Sequence, residues 1–165
     1  MTIRLIFATS INRVIGNAGK IPWHIPEDML RFKELTIGDT VVMGRKTWDS
    51  IPSKFKPLKD RVNIVLSRNT SLTIEGAIVY NNYDDIWKNH KDEDIWIIGG
   101  EQVYKDCIDK AEAIFVTRVF NEFEGDAFSP YVDPAVFELI NTSSTQISIN
   151  SHNLRYAFQT FVRIK

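Results

Sequence analysis

The chain has 165 residues, 44% hydrophobic and 25% charged, which suffices for one sizeable core and is too short to favour two domains, so a single domain over 1–165 is expected. A net charge of -1 gives no field that would gather nucleic acid or an anionic membrane, and no apolar stretch approaches the length of a membrane span. The single cysteine, Cys107, excludes an internal disulfide and fits a reducing compartment, so a cytoplasmic protein is expected.

In chain order, Ile3 to Ala8 is an apolar run with no cleavage-site pattern behind it and reads as a first strand. Similar β-branched-rich runs recur at Thr40 to Met43, Val62 to Leu66, Ala77 to Tyr80, Ile95 to Ile98 and Ile114 to Val119, and predict buried strands. Helices are predicted over Pro26 to Leu35, Lys46 to Ser50, Tyr83 to Asn89 and Glu101 to Cys107, each opening near a cap, a proline or a glycine. Such alternation argues for an α/β fold with a mostly parallel, doubly wound sheet flanked by helices. The last third differs: a polar loop rich in serine and asparagine precedes one long alternating strand, Leu154 to Ile164, expected to be antiparallel.

Four segments have the makings of a site. In Gly19 to Asp28 two prolines stiffen a loop that feeds a helix, and the acids Glu27 and Asp28 suit the positive end of the helix dipole. Glu27 shares a face with Arg31 and Glu34 and reads as solvated. Asp28 is in line with Phe32 and Leu35 on the apolar face, so a carboxylate is being turned inward and needs a partner. Capping and ligand binding both remain open for it.

The run Met43-Gly44-Arg45-Lys46-Thr47-Trp48 joins a buried strand to a helix through a glycine. Exposed N–H groups with Lys46 and Thr47 beside them suit a phosphate, although the spacing is not that of a P-loop. Leu66-Ser67-Arg68 repeats the pattern of strand, hydroxyl and cation. Ile98-Gly99-Gly100-Glu101-Gln102-Val103-Tyr104 lets backbone approach a ligand, but it lacks the Gly-x-Gly-x-x-Gly fingerprint. A charged turn or a simple tight turn is the bland reading of each. His24, His90 and His152 are scattered, with no metal-ligand spacing, and no nucleophile elbow is present. Cys107 reads as a small buried hydrophobe, and Trp87 and Trp96 as core.

Taken together, Ala8 with Arg13-Val14-Ile15-Gly16, Pro22-Trp23 with Pro26-Glu27-Asp28, Met43 to Trp48, Ile98-Gly99-Gly100 with Val103-Tyr104, and Glu124-Gly125-Asp126 resemble the dihydrofolate reductases in order and spacing. The resemblance runs from the first strand to about the end of the chain. It implies a central eight-stranded, mostly parallel sheet with an antiparallel C-terminal strand. It also implies reduction of dihydrofolate by NADPH in a monomer that takes antifolate inhibitors, with no metal.

By the same resemblance Asp28 would hold the pterin, supported by Thr117. Ile6, Ala8, Phe32, Ile51, Leu58 and Ile98 would form apolar walls, and Arg61 would clamp a carboxylate of the glutamate tail. Gly44, Lys46, Thr47 and the backbone from Ile98 through Gly99, Gly100, Glu101, Gln102 and Val103 would contact NADPH. Ala8, Ile15, Gly16, Asn17 and Leu66 would line the same cofactor, and Arg45, Ser67 and Arg68 would meet its 2′-phosphate. Tyr104 would lie near the nicotinamide. The segment Asn17 to Trp23 resembles a closing loop tipped by Ile21, so Ile21 and Trp23 join the catalytic set. Ile21 stands where many bacterial relatives carry methionine or leucine, and Gln102 where some carry a cation. A pyrimidine reductase of riboflavin synthesis, which lacks a need for Arg61 or Asp28, is the enzymatic alternative. A nucleotide-binding module without turnover is the other.

Overall fold

The computed structural model describes residues 1–149 and 152–164. Residues 150 and 151 of the expected polar loop, and residue 165 of the expected domain, lie outside the described residues. The elements are β1 (Thr2–Ser10), β2 (Val14–Gly16), α1 (Pro26–Thr36), β3 (Thr40–Gly44), α2 (Arg45–Ser50), β4 (Val62–Leu66), β5 (Ile78–Tyr80), α3 (Tyr83–Asn89), β6 (Asp94–Ile97), α4 (Glu101–Cys107), β7 (Ala113–Val119), β8 (Ala127–Phe128), β9 (Phe137–Thr142), β10 (Gln146–Ile147) and β11 (Arg155–Arg163).

The main sheet runs β10-β11-β7-β1-β6-β3-β4-β5, with β9 also paired to β11. β9 takes Gln159 to Arg163 and β10 takes Arg155 and Tyr156. The two therefore share one edge of β11, and the sheet has eight positions with the last one divided. Pairings from β7 through β5 are parallel and those of β11 are antiparallel. The eight-stranded, mostly parallel sheet with an antiparallel C-terminal strand is thus as the sequence led us to expect.

Central strands are apolar on both faces because helices and loops cover both. Leu5, Val41, Val42, Ile64, Ile95, Ile97 and Ile114 are fully buried, and burying a side chain of this size stabilises the fold by about 1.5–3 kcal/mol. One core cluster lies under α3 and α4 and contains Phe7, Ile86, Val103 and Tyr104. A second, containing Ile6, Met43, Trp48 and Trp96, lies under α1 and packs against Phe32 and Leu35. α1 begins at Pro26 without a side-chain cap, the proline having no N–H to satisfy. α2 and α4 also lack side-chain caps. In α3 the Asn82 side chain accepts from Asp85 N at 2.9 Å.

Four short or exposed strands were not expected: β2 and β8, which pair with each other, and β9 and β10. The polar segment before the last strand is therefore partly sheet.

Candidate active site

β1, β6 and β3 are adjacent and parallel, and the carboxyl ends of such strands are where an open α/β sheet forms its ligand cleft. Gly44 N donates to Gly99 O at 2.9 Å and Ile98 N to Val42 O at 3.0 Å, so the turns ending β3 and β6 lie side by side. A Cβ on Gly44 would come within 3.2 Å of Val103 Cγ2, and one on Gly99, at φ 122°, within 3.3 Å of the Tyr104 ring. Close packing there requires glycine. The Gly99–Gly100 peptide is cis.

On the floor, Thr117 Oγ1 donates to Asp28 Oδ1 at 2.5 Å. Asp28 keeps a solvent-accessible edge yet is ringed by protein. That burial pushes its carboxyl above the ordinary range, while the Thr117 bond and the charge of Arg31 pull the other way. Register explains the meeting: Ala8 of β1 is opposite Thr117, and Thr117 opposite Phe158 of β11. The inward turn of Asp28 read from helical spacing is the one observed.

The apolar residues expected around it fall in two clusters. Ile6, Phe32, Ile51, Leu58 and Ile98 belong to the second cluster, and Ala8 packs in a third with Trp23, Ile25 and Tyr156. Arg61 is half-buried; its Nη1 donates to Thr36 Oγ1 at 3.1 Å, its Nε to Lys59 O at 2.9 Å, and its guanidinium carbon lies 5.8 Å from the Phe32 ring centre. Burial lowers its pKa, opposed by Asp60. The fork is thus held at the edge of the apolar wall. Tyr104 is buried, and its hydroxyl donates to Ile6 O at 2.7 Å. Burial, then the nearby Asp28, raises its pKa.

The candidate loop is closed at its base by Asn17 N to Lys20 O at 2.7 Å and by Ala18 N to Asp126 Oδ2 at 3.2 Å. Asp126 N in turn donates to Gly16 O at 3.1 Å. A Cβ on Gly125 would strike Val14 and Gly16 O, so this contact demands a glycine. Ile21 is 62% exposed, whereas Trp23 is buried, its ring centre 5.0 Å from that of Phe123. Ile21 and Trp23 accordingly have different settings, one at a free tip and one in packing.

Part of the set expected to meet the cofactor is brought together in one groove, whose lining does not include Arg45, Lys46 or Thr47. Leu66, Ser67, Arg68, Gln102 and Val103 line a groove of about 500 Å³ together with Asn81, Asn82, Tyr83, Asp84 and Asp106. Arg45, Lys46 and Arg68 are exposed, and Arg45 Nε pairs with Asp49 at 3.1 Å. Ser67 is fixed through its backbone, N to Tyr80 O at 2.9 Å and O from Asn81 at 2.8 Å. Ile15 and Gly16 lie in β2, and Thr47 is the third residue of α2, with 3.4 Å between its Oγ1 and a Cβ placed on Gly100. Glu101 is already engaged by Phe128 N at 2.5 Å and Lys105 at 3.5 Å, and Gln102 by Asp106 at 2.8 Å, which leaves their backbone for a ligand.

One reading is corrected. Glu27 is not simply solvated: it accepts from Ser148 Oγ at 2.9 Å, Tyr156 OH at 3.2 Å and Ile149 N at 3.3 Å. Partial burial opposes its ionisation, but these hydrogen bonds prevail and lower its pKa. Arg31 does not pair with Glu27; its guanidinium carbon lies 4.3 Å from the Phe158 ring centre. Arg31 is a neighbour of the site that spacing did not disclose. Trp96 is buried and bonds Asp39 at 2.9 Å, while Trp87 is partly buried against Tyr83. Cys107 is fully buried and its thiol is pushed up to about 12 by burial, which suits no nucleophile.

A family model described as dihydrofolate reductase matches residues 2–163. The chain belongs to the dihydrofolate reductase family. Among curated relatives, a dihydrofolate reductase of Mycobacterium leprae is 43% identical over 135 residues, covering 79% of this chain and 82% of that protein. One from Staphylococcus aureus is 39% identical over 140 residues, covering 84% and 82%. A solved dihydrofolate reductase from Enterococcus faecalis, complexed with NADP(H) and RAB-propyl, superposes with a TM-score of 0.90 at 31% identity and covers 99% of this chain and 97% of its own. These dihydrofolate reductases resemble the chain over most of its length, so the five motifs belong to one shared architecture.

Proposed function

We propose a division of labour among the residues of the cleft for the reaction this chain catalyses, the NADPH-dependent reduction of 7,8-dihydrofolate to 5,6,7,8-tetrahydrofolate. Asp28 takes the 2-amino and N3 side of the pterin, and the observation that carries this is its inward turn onto Thr117. A carboxylate there is costly until a multiply donating ligand meets it. Ile6, Ala8, Phe32, Ile51, Leu58 and Ile98 form the walls. Arg61, already oriented by Thr36 and Lys59, clamps the carboxylate of the glutamate tail with its remaining N–H groups. Pterin-like antifolates compete for the same acid.

The residues at the other end fit NADPH. Uncapped N–H groups open α2 and α4 beside Gly44 and Gly99, where a ligand's pyrophosphate finds donors and no Cβ. Gly44, Lys46, Thr47 and the backbone of Gly99, Gly100, Glu101, Gln102 and Val103 hold it, and Ala8, Ile15, Gly16, Asn17, Leu66 and Ile98 line it. Ser67, Arg68 and Arg45 take the 2′-phosphate. The acid Asp106 in the groove is already satisfied by Tyr83 and Gln102. When bound, the cofactor supplies the hydride that goes to pterin C6.

The chain's own residues orient the partners and manage the proton. Tyr104, locked on Ile6, and Thr117 fix the pocket geometry. The segment Asn17 to Trp23, hinged on Asp126 and carrying Ile21 at its tip, excludes water on closing. Trp23 anchors its end, and a water admitted on opening protonates N5.

The chain works as one domain over 1–165, as a monomer in the cytoplasm. In support, β5 is a three-residue edge and the opposite edge is divided, so both edges resist pairing with another chain. Among the described residues no helix is long and apolar enough to cross a membrane. Loss of NADPH near-ultraviolet absorbance on adding dihydrofolate tests the function. Fast turnover supports it; tight NADPH binding without turnover would return the riboflavin-pathway reductase or the binding module.

A further inference from the structure

Arg31 is the fourth residue of a run that begins with Asp28, so on α1 both project to the same side of the helix. Its guanidinium carbon lies 4.3 Å from the ring centre of Phe158 and 5.8 Å from that of Phe115. Phe158 is the cross-strand partner of Thr117, and Phe115 precedes Thr117 by two residues on the same face of β7. The cation is therefore seated on the two rings that flank the hydroxyl holding Asp28. Among the described residues Arg31 has no ion pair. Glu27, the acid one turn before it, is engaged with Ser148, Ile149 and Tyr156 instead.

A guanidinium is charged at every working pH, and this one is half-buried on aromatic faces, where its field is less screened than in water. We propose that Arg31 is a positioning residue for the reaction, holding Asp28 in its charged form from a fixed seat on Phe158 and Phe115. The groups that face Asp28 come from four elements: Thr117 on β7, Tyr104 on α4, Tyr156 on β11, and Arg31 on α1 itself. Both phenols have raised pKa values and stay neutral. Arg31 is the positive member of that set, and it opposes the burial that drives Asp28 toward its neutral form.

The inference rests on the reading of Asp28 as the pterin-binding acid, and one pair of measurements separates the two. The Asp28 carboxyl is titrated by carbon-13 NMR in the ligand-free protein and in Arg31→Met, Arg31→Lys and Phe158→Leu. The pH profile of kcat/KM is recorded for each. Methionine keeps the apolar stem of Arg31 over the rings and removes the charge. The expected result is an alkaline move of the Asp28 midpoint by on the order of one pH unit in Arg31→Met, with most of it restored in Arg31→Lys. A smaller move of the same sign is expected in Phe158→Leu. The limb of the rate profile that carries this midpoint moves with it.

An unmoved midpoint in folded Arg31→Met overturns the inference, leaves the role of Asp28 standing and reduces Arg31 to a cover for Phe158. A moved midpoint with an unmoved rate profile overturns the inference together with the reading of Asp28. Where Arg31→Met fails to fold, Arg31→Gln carries the same two outcomes.

Discussion

At the floor of the cleft Asp28 meets Thr117 across 89 residues of sequence, among side chains that are wholly or partly buried. At the phosphate end Lys46 and Arg68 are exposed, and Arg45 is turned to Asp49 on its own helix. In the first arrangement one partner, Thr117, is in place before any ligand arrives, because an inward-facing carboxylate left with none is too costly to tolerate. The second consists of backbone donors and flexible cations whose order is supplied by the anion they meet. Substitution at the floor should therefore disturb the protein itself as well as the chemistry, while substitution at the phosphate end should be felt mainly through the cofactor.

The largest expected effect is that of Asp28→Asn. Turnover at neutral pH should fall at least about 100-fold, with partial recovery in acid where the substrate arrives protonated. Stability should move the other way. Burial makes the folded protein hold the Asp28 proton more tightly than the unfolded chain does, so natural stability declines as pH rises from the unfolded pKa through the folded midpoint. The neutral asparagine escapes this decline. Thermal unfolding should show the variant more stable at neutral pH, with the gain vanishing in acid; a loss at neutral pH would break the contrast between the two ends.

Arg68→Ala should raise the KM for NADPH about 10-fold, the value of one charge-assisted hydrogen bond, and leave that for NADH and the unfolding midpoint unchanged. Equal effects on both cofactors would remove Arg68 from the 2′-phosphate. The smallest effect is expected of Glu27→Gln. Its carboxyl is held below the ordinary range, so it adds stability above its unfolded pKa, and that stability is lost as pH falls through the folded value. For so exposed a group the difference should be about 1 kcal/mol or less, seen in urea unfolding at neutral pH and absent in strong acid.

Much of this was legible from residues alone. Strands buried on both faces announce themselves as β-branched runs, and the helical spacing of Asp28 with Phe32 and Leu35 shows a carboxylate turned inward. The divided edge is different: Glu138 to Thr142 are exposed, so selection by burial left no apolar pattern to read. β2 and β8, of three and two residues, are too short to show a period. Glu27 reads as solvated, and Arg31 is not disclosed as a neighbour of the site, for one reason. Local spacing places them on one shared face, but their partners come from far along the chain, Ser148 and Tyr156 in one case and Phe115 and Phe158 in the other.

The sheet order has a further consequence for how the chain is made. β1 is translated first, yet it ends in the middle of the sheet between β6 and β7. Its first partner begins at Asp94, so at about 5–20 residues per second the apolar run from Thr2 to Ser10 spends on the order of 5–20 s as a nascent strand with neither neighbour. Through that interval its apolar residues have no sheet to enter, and their burial waits on the pairing with β6 and β7.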